Sequence, residues 1–282
     1  MQRLYRSSYE CRQNDHMKRY NIAMETKLPI SVIILAKNES VRIAKSISSA
    51  PFADEIVVVN DNSTDNTVQI AKGAGATVIT HQSNNNLAAQ RTWAMEQARN
   101  SWILFLDADE EVSSELVESM KGSFTNGQPK HKNYRLKRRD WFWGSWVTRG
   151  EVRKAYQTGI IRFMQKGSGE WKGNVHEVFI PEDTPGVLSG YINHYPHQTV
   201  KEFLEHINLY SSIRAQELYN RGVTTNWVQF FTYPFGKFIL TYFMYRGFQD
   251  GPAGFAYSFF MSFHSFLVRA KLYQLQRSEL KV

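Results

Sequence analysis

Two aspartates one residue apart, Asp107 and Asp109, close the apolar run Trp102 to Leu106 and lead straight into Glu110 and Glu111. Carboxylates crowded in this way repel one another unless a cation, or donors from a ligand, offset their charge. Hard oxygen ligands of this kind suit Mg2+ or Mn2+, usually shared with a diphosphate. Two other readings compete. One is a solvated acidic turn before a helix that Ser113 and Ser114 could cap. The other is phosphotransfer, with the first aspartate as nucleophile and a threonine two residues after the second; Glu111 occupies that threonine position and counts against it.

Other residues have types suited to the same chemistry. Asn38 and Glu39 follow the run Ile30 to Ala36 and would stand where a pyrimidine or ribose sits at a sheet crevice; Asn38 could also cap a helix. Asp61 could accept from a uracil N–H, while Ser63 and Asp65 hold the turn and cap the next helix. The Arg91 guanidinium could pair with a diphosphate or with Asp107, the bland alternative being an exposed helical arginine. From Lys130 to Lys154, Lys137, Arg138, Arg139, Arg149 and Arg153 alternate with Trp141, Trp143 and Trp146. That mixture suits single-stranded nucleic acid, an acceptor that is both sugar and phosphate, or a charged solvated loop.

The elements that must position these groups are legible in the first half. The continuous apolarity of Trp102 to Leu106 indicates a strand covered on both faces. Ile30 to Ala36, Glu55 to Val59 and Ala76 to Thr80 read as strands; Val41 to Ile47, the segment ending at Lys72, and Leu87 to Arg99 read as helices. Four strands with three crossovers make a nucleotide-binding half-domain of doubly wound α/β type. Beyond Lys121 the regularity fails. Ile160 to Met164 and Val175 to Ile180 could extend the sheet, and Val200 to Tyr219 has the spacing of an amphipathic helix.

Composition narrows the class further. A charged content of 21% with 42% hydrophobic residues belongs to a globular protein, and a net charge of +8 suggests an anionic partner. The single cysteine, Cys11, excludes an internal disulfide framework and fits a reducing cytoplasm. Met1 to Lys27 is polar and basic without the apolar core of a signal peptide. Trp227 to Tyr245 and Ala253 to Val268 are strongly apolar, yet neither supplies the ~20 clean apolar residues of a spanning helix. They fit a helix pair in the membrane interface, with Trp227, Tyr233, Tyr242 and Tyr245 at headgroup level and Lys237, Arg246, Arg269 and Lys271 facing anionic lipid. A soluble helical hairpin covering the sheet is the alternative.

Four stretches in order, Pro29 to Glu39, Asp54 to Thr67, Ala89-Gln90-Arg91 and Leu106 to Glu110, resemble the family 2 glycosyltransferases. Trp171 to Glu177, Gly247 to Gly251 and Gly254-Phe255 resemble the branch that adds β-glucose to the heptose of lipopolysaccharide inner core. The resemblance implies a GT-A fold, a Rossmann-like, mixed but mostly parallel sheet between helices, here with a C-terminal aromatic-rich helical extension. It also implies a donor site of Ala36 and Glu39 facing uridine, with Asp61, Gln90, Arg91, Asp107 and Asp109. Asp109 would be the direct ligand of Mg2+ or Mn2+, and Asp107 would bind ribose or the metal through water. Family members often carry aspartate at position 60, where this chain has Asn60.

An inverting transfer also needs a carboxylate to take the acceptor's proton. Glu177 is the choice, ahead of Glu110, Glu111 and Glu151, with Trp171, His176, Arg138 and Arg162 as acceptor or phosphate contacts. The expected organisation is an N-terminal extension over 1–27, disordered, a catalytic domain over 28–198 and a membrane-associating helical region over 199–282. The catalytic domain divides into a nucleotide-sugar half, 28–125, and an acceptor half, 126–198. The partners expected are a UDP-sugar, a lipid-linked oligosaccharide and an anionic membrane surface at the cytoplasmic face of the inner membrane; nucleic acid is not. A polyprenyl-phosphate glycosyltransferase and a non-catalytic membrane-bound scaffold of the same fold are the alternatives.

Overall fold

The computed structural model describes residues 27–279 apart from 85, 126, 174–176 and 198. The extension expected over 1–27 therefore falls, except for Lys27, outside the described residues.

Strand β1 (Leu28–Ala36) lies between β2 (Ala53–Asn60) and β4 (Trp102–Asp107), parallel to both, and β3 (Thr77–Thr80) runs parallel on the far side of β2. Helices Ile43–Ser48, Thr67–Gly73 and Leu87–Gln97 make the crossovers. Successive residues of β1 and β4 feed opposite layers, which is why both strands are apolar but for Ser31 and the terminal Asp107. Ile34, Leu104 and Leu106 join the layer with Ile43, Leu116 and Met120, while Ile33, Ile103 and Phe105 join the layer with Ala94 and Met95. Hydrophobic area removed from water on both faces fixes this half of the sheet, and its carboxyl edge carries Asn38, Asp61 and Asp107.

The sheet does not stop at β4. After β5 (Glu110–Val112) come β6 (Asn133–Phe142), β7 (Ser145–Val147), β8 (Ile160–Gln165) and β11 (Gly186–His194). They extend the order to β3-β2-β1-β4-β8-β6-β11-β5, with β7 on β6. β8 runs antiparallel to both β4 and β6, whereas β11 is parallel to β6. The basic stretch that read as irregular thus contains a ten-residue strand deep in the sheet. Its buried residues alternate (Tyr134, Leu136, Asp140 and Phe142), and the arginines and lysines between them conceal that period.

One expected sheet strand is placed elsewhere. The described part of Val175 to Ile180 is β10 (Val178–Pro181), and it pairs only with β9 (Gly169–Lys172) in a separate antiparallel ribbon. Phe179 and Trp171 bury one face of that ribbon with Phe105 and Ala94 in its layer, while Val178 and Ile180 are exposed. The strand is apolar at every position, so its sequence reads like one covered on both faces, but only one face finds cover in the ribbon.

The C-terminal region is helical. Thr199 accepts from the Glu202 amide and caps helix Val200–Asn220. Helix Gln229–Phe238, which contains Pro234, continues as a π-helical turn, Ile239–Met244. The long helix Gly251–Glu279 packs on both. Phe203 and Ile207 join Phe142, Val147, Ala253 and Ala256 in a core that fastens the region to β6 and β7. Phe231, Phe235, Phe243 and Met244 remain more than half exposed. Among the described residues no helix is long and apolar enough to cross a membrane.

Candidate functional site

The loops after β1 and β2 brace each other. Asn38, at φ 57°, accepts from the Thr64 amide at 2.8 Å, and its own amide donates to Ser63 Oγ at 3.0 Å. Asn38 therefore staples two loops and caps no helix; Ile43–Ser48 begins without a side-chain cap. Asp65 likewise serves the loops, accepting from the amides of Ser40 and Thr67 at 3.1 and 3.0 Å, and the cap position of the next helix belongs to Asn66. Asn60 accepts from the Ser63 amide and donates its Nδ2 to Thr80 Oγ1 at 3.3 Å, a donation a carboxylate could not make.

The donor-site residues fall into this frame. Ala36 is buried, and its carbonyl accepts from the Asp61 amide at 2.9 Å. Asp61 accepts from the Ser83 amide and hydroxyl at 3.0 and 2.9 Å and lies 3.4 Å from Lys37 Nζ. Burial alone would raise its carboxyl, but Ser83 and Lys37 hold it below the ordinary value. Glu39 pairs with Arg42 at 3.2 Å; burial first, then the charge of Asp109, raises its carboxyl. Gln90 is buried on helix Leu87–Gln97 and donates to the His81 carbonyl at 2.8 Å, so it holds the loop after β3.

Beneath the first aspartate lies a charge network. Both Asp107 oxygens meet guanidinium groups, Arg91 at 2.7 Å and Arg162 at 3.1 Å. Burial would raise the carboxyl, yet Arg162 and Arg91 hold it well below the usual carboxylate range. Arg91, 2% exposed, also binds Glu177 Oε1 through Nε at 2.8 Å, and its Cζ lies 5.1 Å from the rings of both Phe105 and Trp171. Trp171 and Arg162, read from the sequence as acceptor contacts, thus line the inner side of this network, next to Glu177. His176 lies outside the described residues.

A second network surrounds Asp109. Its Oδ2 is 3.3 Å from His194 Nε2, and His194 Nδ1 is 3.0 Å from Asp140 Oδ1. Arg138 lies 3.4 Å from both Glu110 and Asp140, on the core face of β6 and partly exposed. Glu110 is fully buried; burial and then Asp107 raise its carboxyl. From the long C-terminal helix, Tyr257 donates to Asp140 at 3.5 Å. Burial would depress the His194 imidazole, but Asp140 and, against Arg138, Asp109 push it up to about 10.

Two acceptor atoms 3.3 Å apart need a proton or a cation between them. Here the imidazolium proton fills that need; a divalent ion would fill it equally, held by Asp109 Oδ2 and neutral Nε2 with Asp140 behind the ring. Among the described residues no three His, Cys, Asp or Glu side chains form a closed metal site. The donor set fits an ion that takes its remaining ligands from a diphosphate and water.

His194 and Asp140 were missed in the sequence. Asp140 carried a usable signal, since it falls in step with the buried residues Tyr134, Leu136 and Phe142. A pocket opens beside Asp109, lined by Arg42, Lys45, Ala108, Glu111 and Tyr195. The other face of β6 presents Arg135, Lys137, Arg139 and Trp141, with Lys137 and Arg139 in register with Tyr191 and Asn193 of β11. Among the described residues Glu111, Arg135, Lys137 and Arg139 make no ion pair.

Comparison with known proteins bears on this geometry. The family model for glycosyl transferase family 2 matches residues 31–177. An uncharacterised glycosyltransferase of Rickettsia prowazekii is 32% identical over 257 residues, 87% of each chain. The lipopolysaccharide core biosynthesis glycosyltransferase LpsC of Rhizobium meliloti is 28% identical over 89% of this chain and 94% of its own. Among solved structures, glucosyl-3-phosphoglycerate synthase of Mycobacterium tuberculosis, in complex with Mn2+, UDP and glucosyl-3-phosphoglycerate, is 23% identical over 43% of this chain and 46% of its own. At a TM-score of 0.32 that last likeness carries no argument.

Proposed function

Because the chain belongs to glycosyl transferase family 2, we propose that it moves a hexose, glucose from UDP-glucose, onto the heptose of a lipid-linked core oligosaccharide at the cytoplasmic face of the inner membrane. The acceptor class is supported by the similarity to LpsC along nearly the whole chain. The observation that carries the chemistry is the approach of Asp109 to His194 at the sheet edge that also bears the Asn38, Glu39 and Asp61 loops.

In this reading uridine lies over Ala36, Glu39 and Asp61, and Asp109 with His194 holds Mg2+ or Mn2+. When bound, that ion supplies neutralisation of charge on the departing diphosphate. Arg91 and Arg162 keep Asp107 ionised and fixed, so that the edge stays rigid while charge moves across it. The transfer is a single displacement with inversion: the acceptor oxygen forms a bond to C1 as the bond from C1 to the diphosphate oxygen breaks, and Glu177 takes the acceptor's proton. A second reading of the base has its own support. Glu111 lines the pocket beside Asp109 and makes no ion pair among the described residues, whereas Glu177 is held by Arg91.

The exposed Phe231, Phe235, Phe243 and Met244, with Trp227, support peripheral attachment to a membrane. Two of the basic residues expected to face lipid are occupied within the protein: Lys237 pairs with Glu151 at 2.7 Å, and Lys271 donates to Ser211 and Asn208 on helix Val200–Asn220. Arg246 is exposed, and Arg269 lies 3.8 Å from the Tyr233 ring centroid.

A transfer assay with a panel of UDP- and GDP-sugars on core lipid extracts, read by mass spectrometry, tests the reading. One hexose added to core lipid from UDP-glucose is expected. Transfer to polyprenyl phosphate instead would make the chain a polyprenyl-phosphate glycosyltransferase. UDP binding that is indifferent to Mn2+ in calorimetry, together with no transfer, would leave a scaffold.

A further inference from the structure

The outer face of β6, β7 and β11 is not used by the donor chemistry, and its side chains are arranged for an anionic sugar. Parallel pairing sets Lys137 beside Tyr191 and Arg139 beside Asn193. Arg139 donates from Nε to Asn193 Oδ1 at 2.8 Å and lies 4.1 Å from the Trp146 ring centroid and 4.7 Å from that of Tyr191. Trp146 in turn meets Trp141 at 4.9 Å and Tyr195 at 6.0 Å. Tyr156 stacks on Tyr191, and the charges of Lys137 and Arg139 act on its hydroxyl.

A guanidinium fixed between two rings by one hydrogen bond is pre-organised for an oxyanion, because its ordering entropy is spent in folding. The rings around it are half-buried, so each keeps an edge or face for a sugar. Unlike the arginines under Asp107, the three cations of this face, Arg135, Lys137 and Arg139, have no carboxylate partner among the described residues. An acidic side chain, Glu111, stands at the end of the face next to Asp109. The amide of Tyr195 donates to the Asp109 carbonyl at 2.9 Å, so the aromatic platform begins beside the reacting centre.

We propose that this face is the acceptor subsite, and that it selects an acceptor whose glycan carries a phosphate near the accepting hydroxyl. Arg139, with Lys137 and Arg135, takes the anionic group; Trp146 and Tyr195 take the sugar face. The inference rests on the glycosyltransferase reading above and deepens it.

The test is calorimetric titration of the protein, with UDP and Mn2+ present, by phosphorylated core oligosaccharide and by the same material after phosphatase treatment. The wild type is expected to bind the phosphorylated form at least about tenfold more tightly, the scale of a charge-assisted hydrogen bond. Arg139→Ala and Lys137→Ala should each erase most of that preference and leave UDP affinity unchanged. Arg139→Lys, which keeps the charge and loses the planar fork, should fall between.

Equal affinity for both forms in the wild type, or a preference that survives in Arg139→Ala, would overturn the inference. So would tighter binding of single-stranded RNA than of either oligosaccharide, weakened by the same substitutions. Binding does not require turnover: a preserved preference without transfer would sink the functional reading alone. Transfer of glucose without a preference would sink this inference alone.

Discussion

The two halves of the sheet treat charge in opposite ways. At the edge of β4 every carboxylate of the Asp107 network lies on a guanidinium, and Arg91 is buried beneath them. On the outer face of β6 the cations stand among half-buried rings without carboxylate partners. Buried pairs hold a geometry and are costly to break, whereas unpaired cations at a surface cost little to the fold and wait for an anion. In the proposed function the donor side is thus built before its ligand arrives, and the acceptor side is completed by it.

Substitutions should separate the two behaviours. Asp109→Ala and His194→Ala are each expected to lower turnover by about a thousandfold, several kcal/mol of transition-state stabilisation. They should also abolish the effect of Mn2+ on UDP binding in calorimetry; a metal response that persists in both would dissolve the pair as a site. Glu177→Gln and Glu111→Gln set the two base readings against each other. The true base should lose about 10²–10⁴ in kcat with UDP binding intact, and the other change should leave kcat within a few-fold.

Arg91→Ala removes the shared partner of Asp107 and Glu177 and is expected to destabilise the protein by about 3–5 kcal/mol in urea unfolding. Arg135→Ala, on the open face, should stay within about 0.5 kcal/mol of the wild type. Equal costs for these two changes would break the comparison. Replacing Phe231, Phe235 and Phe243 together by alanine should reduce sedimentation with anionic vesicles while leaving UDP binding unaltered.

A pH-dependent effect is expected from His197, which stacks on Phe203 and whose imidazole is pushed down to about 4 by burial and then by His206. A depressed histidine stabilises the fold above the unfolded-state value of about 6.5, and that contribution is lost as pH falls toward 4. His197→Phe should therefore flatten the fall in Tm over that window relative to the wild type.

Legibility in the sequence followed the same division. Strands β1, β2 and β4 are apolar on both faces, and a continuous run announces such a strand without help from tertiary context. The motifs at their ends sit where the strands stop, so their proximity followed from parallel pairing. In β6 the inward period of two is overwritten by outward arginines and lysines, and one inward position is an aspartate instead of an apolar residue. The partnership of Asp140 with His194 crosses from β6 to β11, where no local spacing encodes it. Arg138 shows the complementary difficulty: its neighbours face outward, and only the strand's alternation turns it to Glu110.

The Tyr257 hydroxyl, which reaches Asp140 from the long C-terminal helix, ties the helical region to the middle of the sheet. A protein cut after residue 198 would not be a catalytic core relieved of its anchor. It would lose the cover over Asp140, Phe142 and Val147, and the aspartate that stands behind the histidine beside Asp109 would lose its tyrosine partner. Whatever the helical region touches outside the molecule, it already serves as the rear wall of the reaction centre.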